Sequence, residues 1–487
     1  MTSTNENSQN WNYKYTDVEN KDENESTIVQ EKSNYMQEYL STFISSFGMF
    51  MVGLHFSWIA PILPTLLSGT FKVQITMEQS VWVISLLQIG AIPGSILASF
   101  LSNYCGRKKT IVLISIPYVV SSIISIFAEN VWHYYLARFL AGLSVGGTYS
   151  VIPMYVSEIS SSEVRGLLST SVHISLKFAV ILVYISGAYL PIVEYGIFCA
   201  IFPILMFVFS FFLPETPYYY VVKQDLELAE KSLKFLRKKS NVRNELDCLI
   251  EGYKEETARV KQSFWDLFKF DYNRKSLLIV FTLVLAQQWT GGKAFLSYIQ
   301  VIFKDGNSSI AVESCGIIVS VINFTTVIIC GSLIDRLGRR KLLCFSCFGM
   351  LIPLSALSIY FYLQNVAKVE YIEYLRLTPL IALVSFKIAF AMGISPLPFV
   401  LLGELFPTSV KAHAGSFITI CMSFLGVAAN KMYQTVSTEF GYPPTFGMFV
   451  VLDTLALIFI YFMVPETKGL TLEEIQMNLR KSTKQKK

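Results

Sequence analysis

The stretch Gly106-Arg107-Lys108-Lys109 interrupts a long apolar run, and a near copy, Asp335-Arg336-Leu337-Gly338-Arg339-Arg340-Lys341, interrupts another far downstream. Two further motifs repeat in the same order. Glu158 followed by Arg165-Gly166 is echoed by Glu404 followed by Lys411, and Pro214-Glu215-Thr216-Pro217 by Pro465-Glu466-Thr467-Lys468-Gly469. The spacing between copies drifts slowly, as insertions would make it. Charged loops duplicated in order between hydrophobic spans point to a membrane protein built from two repeats, an arrangement common among transporters.

Composition agrees. The 487 residues are 53% hydrophobic and only 15% charged, where soluble proteins carry roughly 25% charge; the mean hydropathy is +0.48. The solvent of most of this chain is therefore lipid. Its net charge of +5 is carried largely by short loops rather than by one basic face of a polar domain, so no nucleic-acid partner is indicated. The eight cysteines are scattered and imply no disulfide framework. Cys344 and Cys347 have metal-ligand spacing but stand in an apolar span without partner His or Cys, which favours a packing role. Residues 1–40, rich in Asn, Glu, Ser, Thr and Lys and lacking the apolar core of a signal peptide, read as a disordered cytosolic tail.

Crossing about 30 Å of hydrocarbon takes about 20 apolar residues in a helix. Twelve runs qualify: 41–63, 81–101, 110–128, 132–156, 167–190, 195–213, 277–302, 312–334, 342–364, 377–402, 413–435 and 445–464. The expected fold is thus all-α, with twelve transmembrane helices in two six-helix bundles, 41–213 and 277–464. A polar linker, 214–276, reads as short intracellular amphipathic helices, and 465–487 as a cytosolic tail. With the N-terminus inside, short inner loops hold nine basic residues and outer loops hold four, Lys72, Lys304, Lys368 and Arg376, which places both termini in the cytosol. Asn307-Ser308-Ser309 is then a glycosylation sequon on an outer loop. Gly90 with Gly94, and Gly142 with Gly146, set small residues four apart on the second and fourth spans, a pattern that lets helix backbones approach closely.

Each repeat sets Arg or Lys at the inner end of one helix and a Glu at the end of another. Glu158 and Glu404 can accept charge-assisted bonds from Arg107, Arg165 or Arg339, and such bonds suit a gate that must form and dissolve. Basic residues near helix ends also set topology. Acidic residues contribute little to orientation, so carboxylates at matched places in both halves favour the gate.

These residues carry a resemblance. Gly106-Arg107-Lys108, Arg138-Phe139 with Gly142, Glu158 with Arg165-Gly166, Pro214-Glu215-Thr216-Pro217, Gln287-Gln288 with Thr290-Gly291, Asp335-Arg336-Leu337-Gly338-Arg339-Arg340, Gly403-Glu404-Leu405-Phe406-Pro407 and Pro465-Glu466-Thr467-Lys468-Gly469 resemble the sugar porters of the major facilitator superfamily, especially the insect facilitated trehalose transporters. The resemblance spans about residues 40 to 475. It implies a salt-bridge network at Arg107, Glu158, Arg165, Arg339, Glu404 and Lys411 that closes the cytosolic side, with Glu215 and Glu466 as partners from the intracellular segments. Asn103 stands where the motif carries Asp, and Lys411 where it carries Arg.

Polar residues near mid-span, His55, His173, Lys177, Gln287, Gln288, Lys293, Asn323, Lys387 and Asp453, are expensive in lipid and mark a path or helix-to-helix bonds. Amides suit a sugar because one side chain offers both donor and acceptor to neighbouring hydroxyls. Gln287 and Gln288 are therefore the leading candidates. The resemblance implies that Gln288 and Asn323 contact the sugar, with His173 where the family has Gln, Lys293 where it has Asn, Phe399 where it has Trp, and Met422-Ser423 where it often has Asn-Trp. Two readings compete for Lys177 and Lys293: binding of an anionic solute, or hydrogen bonding to carbonyls, to hydroxyls or to a carboxylate such as Asp453. Gly53-Leu54-His55 lacks the Asp of proton-driven relatives, which favours facilitated diffusion over symport.

The expectation is a plasma-membrane carrier of a sugar, trehalose or a hexose, monomeric as a functional unit and needing no cofactor. Nothing resembling a nucleophile–base set argues for an enzyme. A channel would not need repeated gate loops, and a signalling receptor would want a longer tail.

Overall fold

In a computed structural model, residues 35–69, 71–161, 163–258, 265–306, 310–406, 408–468 and 474 are described. They are almost entirely helical. The N-terminal half comprises α1 (Met36–Ser57) and α2 (Ile59–Ser68), which form one bent span, then α3 (Met77–Cys105), α4 (Arg107–Ile126), α5 (Val131–Ile159), α6 (Arg165–Tyr189) and α7 (Ile192–Ser210). Short helices α8 (Pro217–Val222), α9 (Leu226–Arg237), α10 (Arg243–Ala258) and α11 (Asp266–Lys269) follow. The second half comprises α12 (Asp271–Trp289), α13 (Gly292–Asp305), α14 (Val312–Leu337), α15 (Arg339–Asn365), α16 (Thr378–Met392), α17 (Leu397–Leu405), α18 (Thr408–Glu439) and α19 (Tyr442–Met463).

Among the described residues, eleven helical segments are long and apolar enough to cross a membrane. The twelfth expected span, 277–302, folds as two helices, α12 and α13, joined at Thr290-Gly291, where Gly291 takes φ +96°. Residues 377–402 are likewise divided, into α16 and α17, by a turn over 393–396. Breaking a helix inside a bundle frees carbonyls that must find donors. The two broken spans supply them to each other. Gln287 of α12 donates its amide to the carbonyls of Ile394 and Ser395 (3.3 and 2.7 Å), and Lys387 of α16 donates to the Gly292 carbonyl (3.2 Å) while lying over the rings of Phe386 and Phe390.

The glycine pairs on the second and fourth spans interlock. A Cβ added at Gly90, Gly94, Gly142 or Gly146 would lie 2.4, 2.1, 2.4 or 1.9 Å from a backbone carbonyl oxygen of the facing helix. Helices α3 and α5 therefore touch backbone to backbone. Local signals set their ends: Thr76 and Gln79 form a reciprocal capping box on α3, and the Asn130 side chain accepts from the amides of Trp132 and His133 at the start of α5.

Helix α1 starts at Met36, inside the segment 1–40 read from sequence as a tail, and α12 starts at Asp271, inside the linker 214–276. Tertiary contact explains the first shift. The Glu38 carboxylate is fully buried, paired with Arg237 of α9 (2.8 Å) and accepting from the amide and hydroxyl of Ser161 (2.8 and 3.0 Å). Residues 1–34 and 469–473, the sequon at Asn307 and the side chains of Lys293, Asp335, Arg336 and Lys411 lie outside what is described.

Candidate functional site

Both charged loops are built alike, atom for atom. Gly106 and Gly338 take φ +98° and +88°, a left-handed conformation open to glycine at little steric cost, and turn one helix into the next. The turn leaves the first amides of α4 and α15 pointing out of the helix, where the dipole favours an anion. Glu215 occupies the first such position, accepting from the amides of Arg107 (2.9 Å) and Lys108 (3.2 Å); Glu466 occupies the second, accepting from Arg339 (2.8 Å) and Arg340 (3.2 Å). A Cβ at Gly106 would fall 2.2 Å from Oε2 of Glu215, and one at Gly338 2.8 Å from Oε2 of Glu466. The glycine is needed for the space as well as for the turn.

The side chains complete the clasp. Arg107 sends Nε and Nη2 to Oε1 of Glu158 (3.2 and 2.8 Å), and Thr216 donates its hydroxyl to Oε2 (2.6 Å). Arg339 sends Nε and Nη2 to Oε1 of Glu404 (3.2 and 3.0 Å), and Thr467 donates to Oε2 (2.6 Å). Pro-Glu-Thr thus recurs because each copy contributes a helix-capping carboxylate and a hydroxyl for the ion pair. Both pairs lie within a half. Arg165, expected as a third donor to these carboxylates, instead gives Nη2 to the Ser160 carbonyl (3.2 Å).

The sequence reading missed a further ion cluster beside the first clasp. Arg237, 7% exposed, bonds Glu38, Glu245 and the Ile159 carbonyl, tying α9 and α10 to the ends of α1 and α5. No local motif announces it. The reading of 214–276 as short amphipathic helices placed the element but not the cluster.

The two clasps differ in proton affinity. Burial raises the Glu215 carboxyl above the usual carboxylate value, more than its backbone donors and Arg107 lower it. At Glu466 burial also pushes upward, but the amides of Arg339, Lys468, Arg340 and Thr467 outweigh it and hold the carboxyl below. A depressed carboxyl stabilises the fold above its unfolded pKa and loses that contribution as pH falls through the folded value; a raised one contributes at low pH and loses it as pH rises. Going from about pH 5 to about pH 3, the amide protection factors of Arg339 and Arg340 are expected to fall while those of Arg107 and Lys108 hold or rise. Hydrogen exchange in detergent checks this, and equal loss at both clasps would contradict it.

At the other end of the bundle and at its centre, the halves meet. The Ser80 and Tyr298 hydroxyls are 3.4 Å apart, Tyr184 donates to the Leu296 carbonyl (3.1 Å), and the rings of Phe178 and Phe324 lie 6.4 Å apart. Gln288 is buried near the end of α12, giving its amide NH2 to Oε1 of Gln287 (3.0 Å). Asn323 on α14 is half-buried, and His173 on α6 and Phe399 on α17 are exposed. Asp453 is wholly buried next to Cys347 of the neighbouring α15. His55 stacks on Tyr118, and Arg138 beside it donates to the carbonyls of His55 (2.6 Å) and Val83 (3.0 Å).

Two helical repeats, each clasped at one end and meeting its mate at the other around buried amides, define a membrane transporter of the major facilitator architecture. The profile of the family described as Sugar (and other) transporter matches residues 41–479. The chain belongs to that family. It is 32% identical over 466 residues to a facilitated trehalose transporter of Bombyx mori, covering 95% of this chain and 91% of that one, and 31% identical to one from Polypedilum vanderplanki, covering 91% and 88%. Its fold is similar to that of the xylose transporter XylE from E. coli in an inward-open conformation, with a TM-score of 0.75 at 20% identity over 91% of this chain and 99% of that one. The similarity to the same transporter bound to 6-bromo-6-deoxy-D-glucose has a TM-score of 0.69 at 20% identity, over 92% of this chain and 100% of that one.

Proposed function

We propose that this protein is a facilitative sugar carrier, for trehalose or a hexose, working by alternating access as a monomer in the plasma membrane with both termini in the cytosol. The observation that carries this reading is the presence of two separately clasped halves in contact at the end opposite the clasps, around a buried amide cluster that includes Gln288. The charged-loop end is the cytosolic one, and this conformation faces inward. Return to the outward-facing state brings the clasps of the two halves together, and Glu158 and Glu404 then use their remaining lone pairs for basic residues of the opposite half, Arg165 and Lys411 among them.

Facilitation rather than proton coupling is favoured because Arg138 is held by carbonyls and a histidine stands where proton-driven relatives carry Asp. Lys387 is engaged by the Gly292 carbonyl and lies over two aromatic rings. Gln288, Asn323, His173, Phe399 and Lys293 remain the proposed substrate set. Gln287 acts on them from behind by orienting Gln288.

The test is counterflow of labelled trehalose and glucose in proteoliposomes holding the purified full chain. Saturable uptake is expected, with a rate independent of an imposed pH gradient and reduced roughly tenfold in Gln288→Leu. Gradient-driven accumulation would refute facilitation, and entry of an anion without either sugar would refute the sugar assignment.

A further inference from the structure

Gly426 of α18 faces two side chains from opposite halves of the molecule. A Cβ there would stand 2.1 Å from Oε1 of Gln88 on α3 and 3.2 Å from Oε1 of Gln288 on α12. Both oxygens are buried and have no hydrogen-bond partner. The neighbours of Gln288 fix its orientation. The carbonyls of Ile394 and Ser395 can only accept, so Gln287 must turn its NH2 to them; its oxygen then takes the NH2 of Gln288, and the Gln288 oxygen is left facing Gly426. One helical turn along the same face of α18 lies Asn430, 1% exposed, with both amide atoms buried and unpartnered. The Trp289 indole, donating to the Leu425 carbonyl (3.0 Å), holds α18 against α12 at this level.

Unpaired buried acceptors call for donors. Two carbonyl oxygens that close on the same glycine from opposite halves can take two hydrogens from one ligand once the halves part, and neighbouring hydroxyls of a pyranose supply them. Gln88 belongs to the N-terminal half and Gln288 to the C-terminal half, so a sugar bound to both would be shared across the interface that must rearrange during transport.

We infer that Gln88 is a specificity-determining, substrate-contacting residue: with Gln288 it accepts hydrogen bonds from adjacent sugar hydroxyls at Gly426, where no side chain stands between the two amides, and Asn430 supplies further donor and acceptor capacity one turn away. The inference rests on the sugar-carrier reading and adds to it a contact from α3, a helix that the sequence motifs did not single out for binding. Helix α3 suits the task because its interlock with α5 fixes the position of that amide.

The experiment compares wild type, Gln88→Met, which keeps side-chain length without the acceptor, Gln88→Glu, which keeps the acceptors, and Gly426→Ala. Each purified full chain is checked for a monodisperse elution profile, and inhibition of glucose counterflow is measured with the set of monodeoxyglucoses. Wild type is expected to bind at least one deoxy sugar roughly tenfold more weakly than glucose. In Gln88→Met the half-saturation for glucose rises by a similar factor and the penalty on that analogue disappears. Gln88→Glu keeps the penalty, and Gly426→Ala loses glucose and analogue alike. A penalty unchanged in Gln88→Met would overturn the assignment of Gln88, with the carrier reading intact and a resident water as the partner of that amide. A wild type that moves neither glucose nor trehalose would overturn both together.

Discussion

Gly146→Ala is expected to destabilise the protein by about 3 kcal/mol, the upper end of what overpacking usually costs. The added methyl carbon would sit 1.9 Å from the Ala91 carbonyl oxygen, and its other near neighbours are also backbone atoms of Ala91. A side chain could swing aside; backbone cannot, so α3 and α5 must move apart along their whole contact. In lipid, helix association depends on such close packing because no hydrophobic drive replaces it. The control is the same substitution at Gly166, where nothing lies within 4 Å. There, alanine is expected to be neutral or to gain about 0.5–1 kcal/mol from helix propensity. Thermal unfolding of the two variants in detergent decides the matter, and comparable midpoints would sink the interlock.

The second large effect is expected at Arg107→Ala. Arg107 is 4% exposed and Glu158 only 11%, so removing the guanidinium strands a buried carboxylate whose other partner is the Thr216 hydroxyl. Breaking a buried pair on one side costs about 3–5 kcal/mol. The equivalent pair, Arg339 with Glu404, is 15% and 19% exposed, and water reaching it should soften the loss in Arg339→Ala. Adding Glu158→Gln to Arg107→Ala is expected to restore much of the stability, because the neutral amide no longer needs a countercharge. If the double variant were no better than the single one, the ion pair would not be the reason for the loss.

These two sites mark how far the sequence could be read. The residues of the clasps were legible because they recur: a glycine followed by basic residues, a glutamate, and a Pro-Glu-Thr segment at the same place in each half. The glycine pairs were legible for the same reason, since spacing of four on a helix sets a face. The partners of the charges were less so. Sequence proposed Arg165 as an alternative donor to the carboxylates, and the fold turns it to the Ser160 carbonyl in this conformation. Glu38 looked like part of a polar tail until α9 was folded against it.

The amides separate the two levels most clearly. Their cost in lipid singled out Gln287 and Gln288 before any fold was known, yet their division of labour comes from the break in the tenth span, whose carbonyls take Gln287 and leave the Gln288 oxygen facing Gly426. Gln88 drew no notice, being one polar residue beside a glycine pair that reads as helix packing. From sequence alone came the twelve spans, the two repeats and the charged residues of each loop, because hydropathy and repeated motifs are read over a few residues. Only the tertiary structure decided which carboxylate holds which arginine and which amide oxygens stand unpaired across the halves, because those depend on distances between helices far apart in the chain.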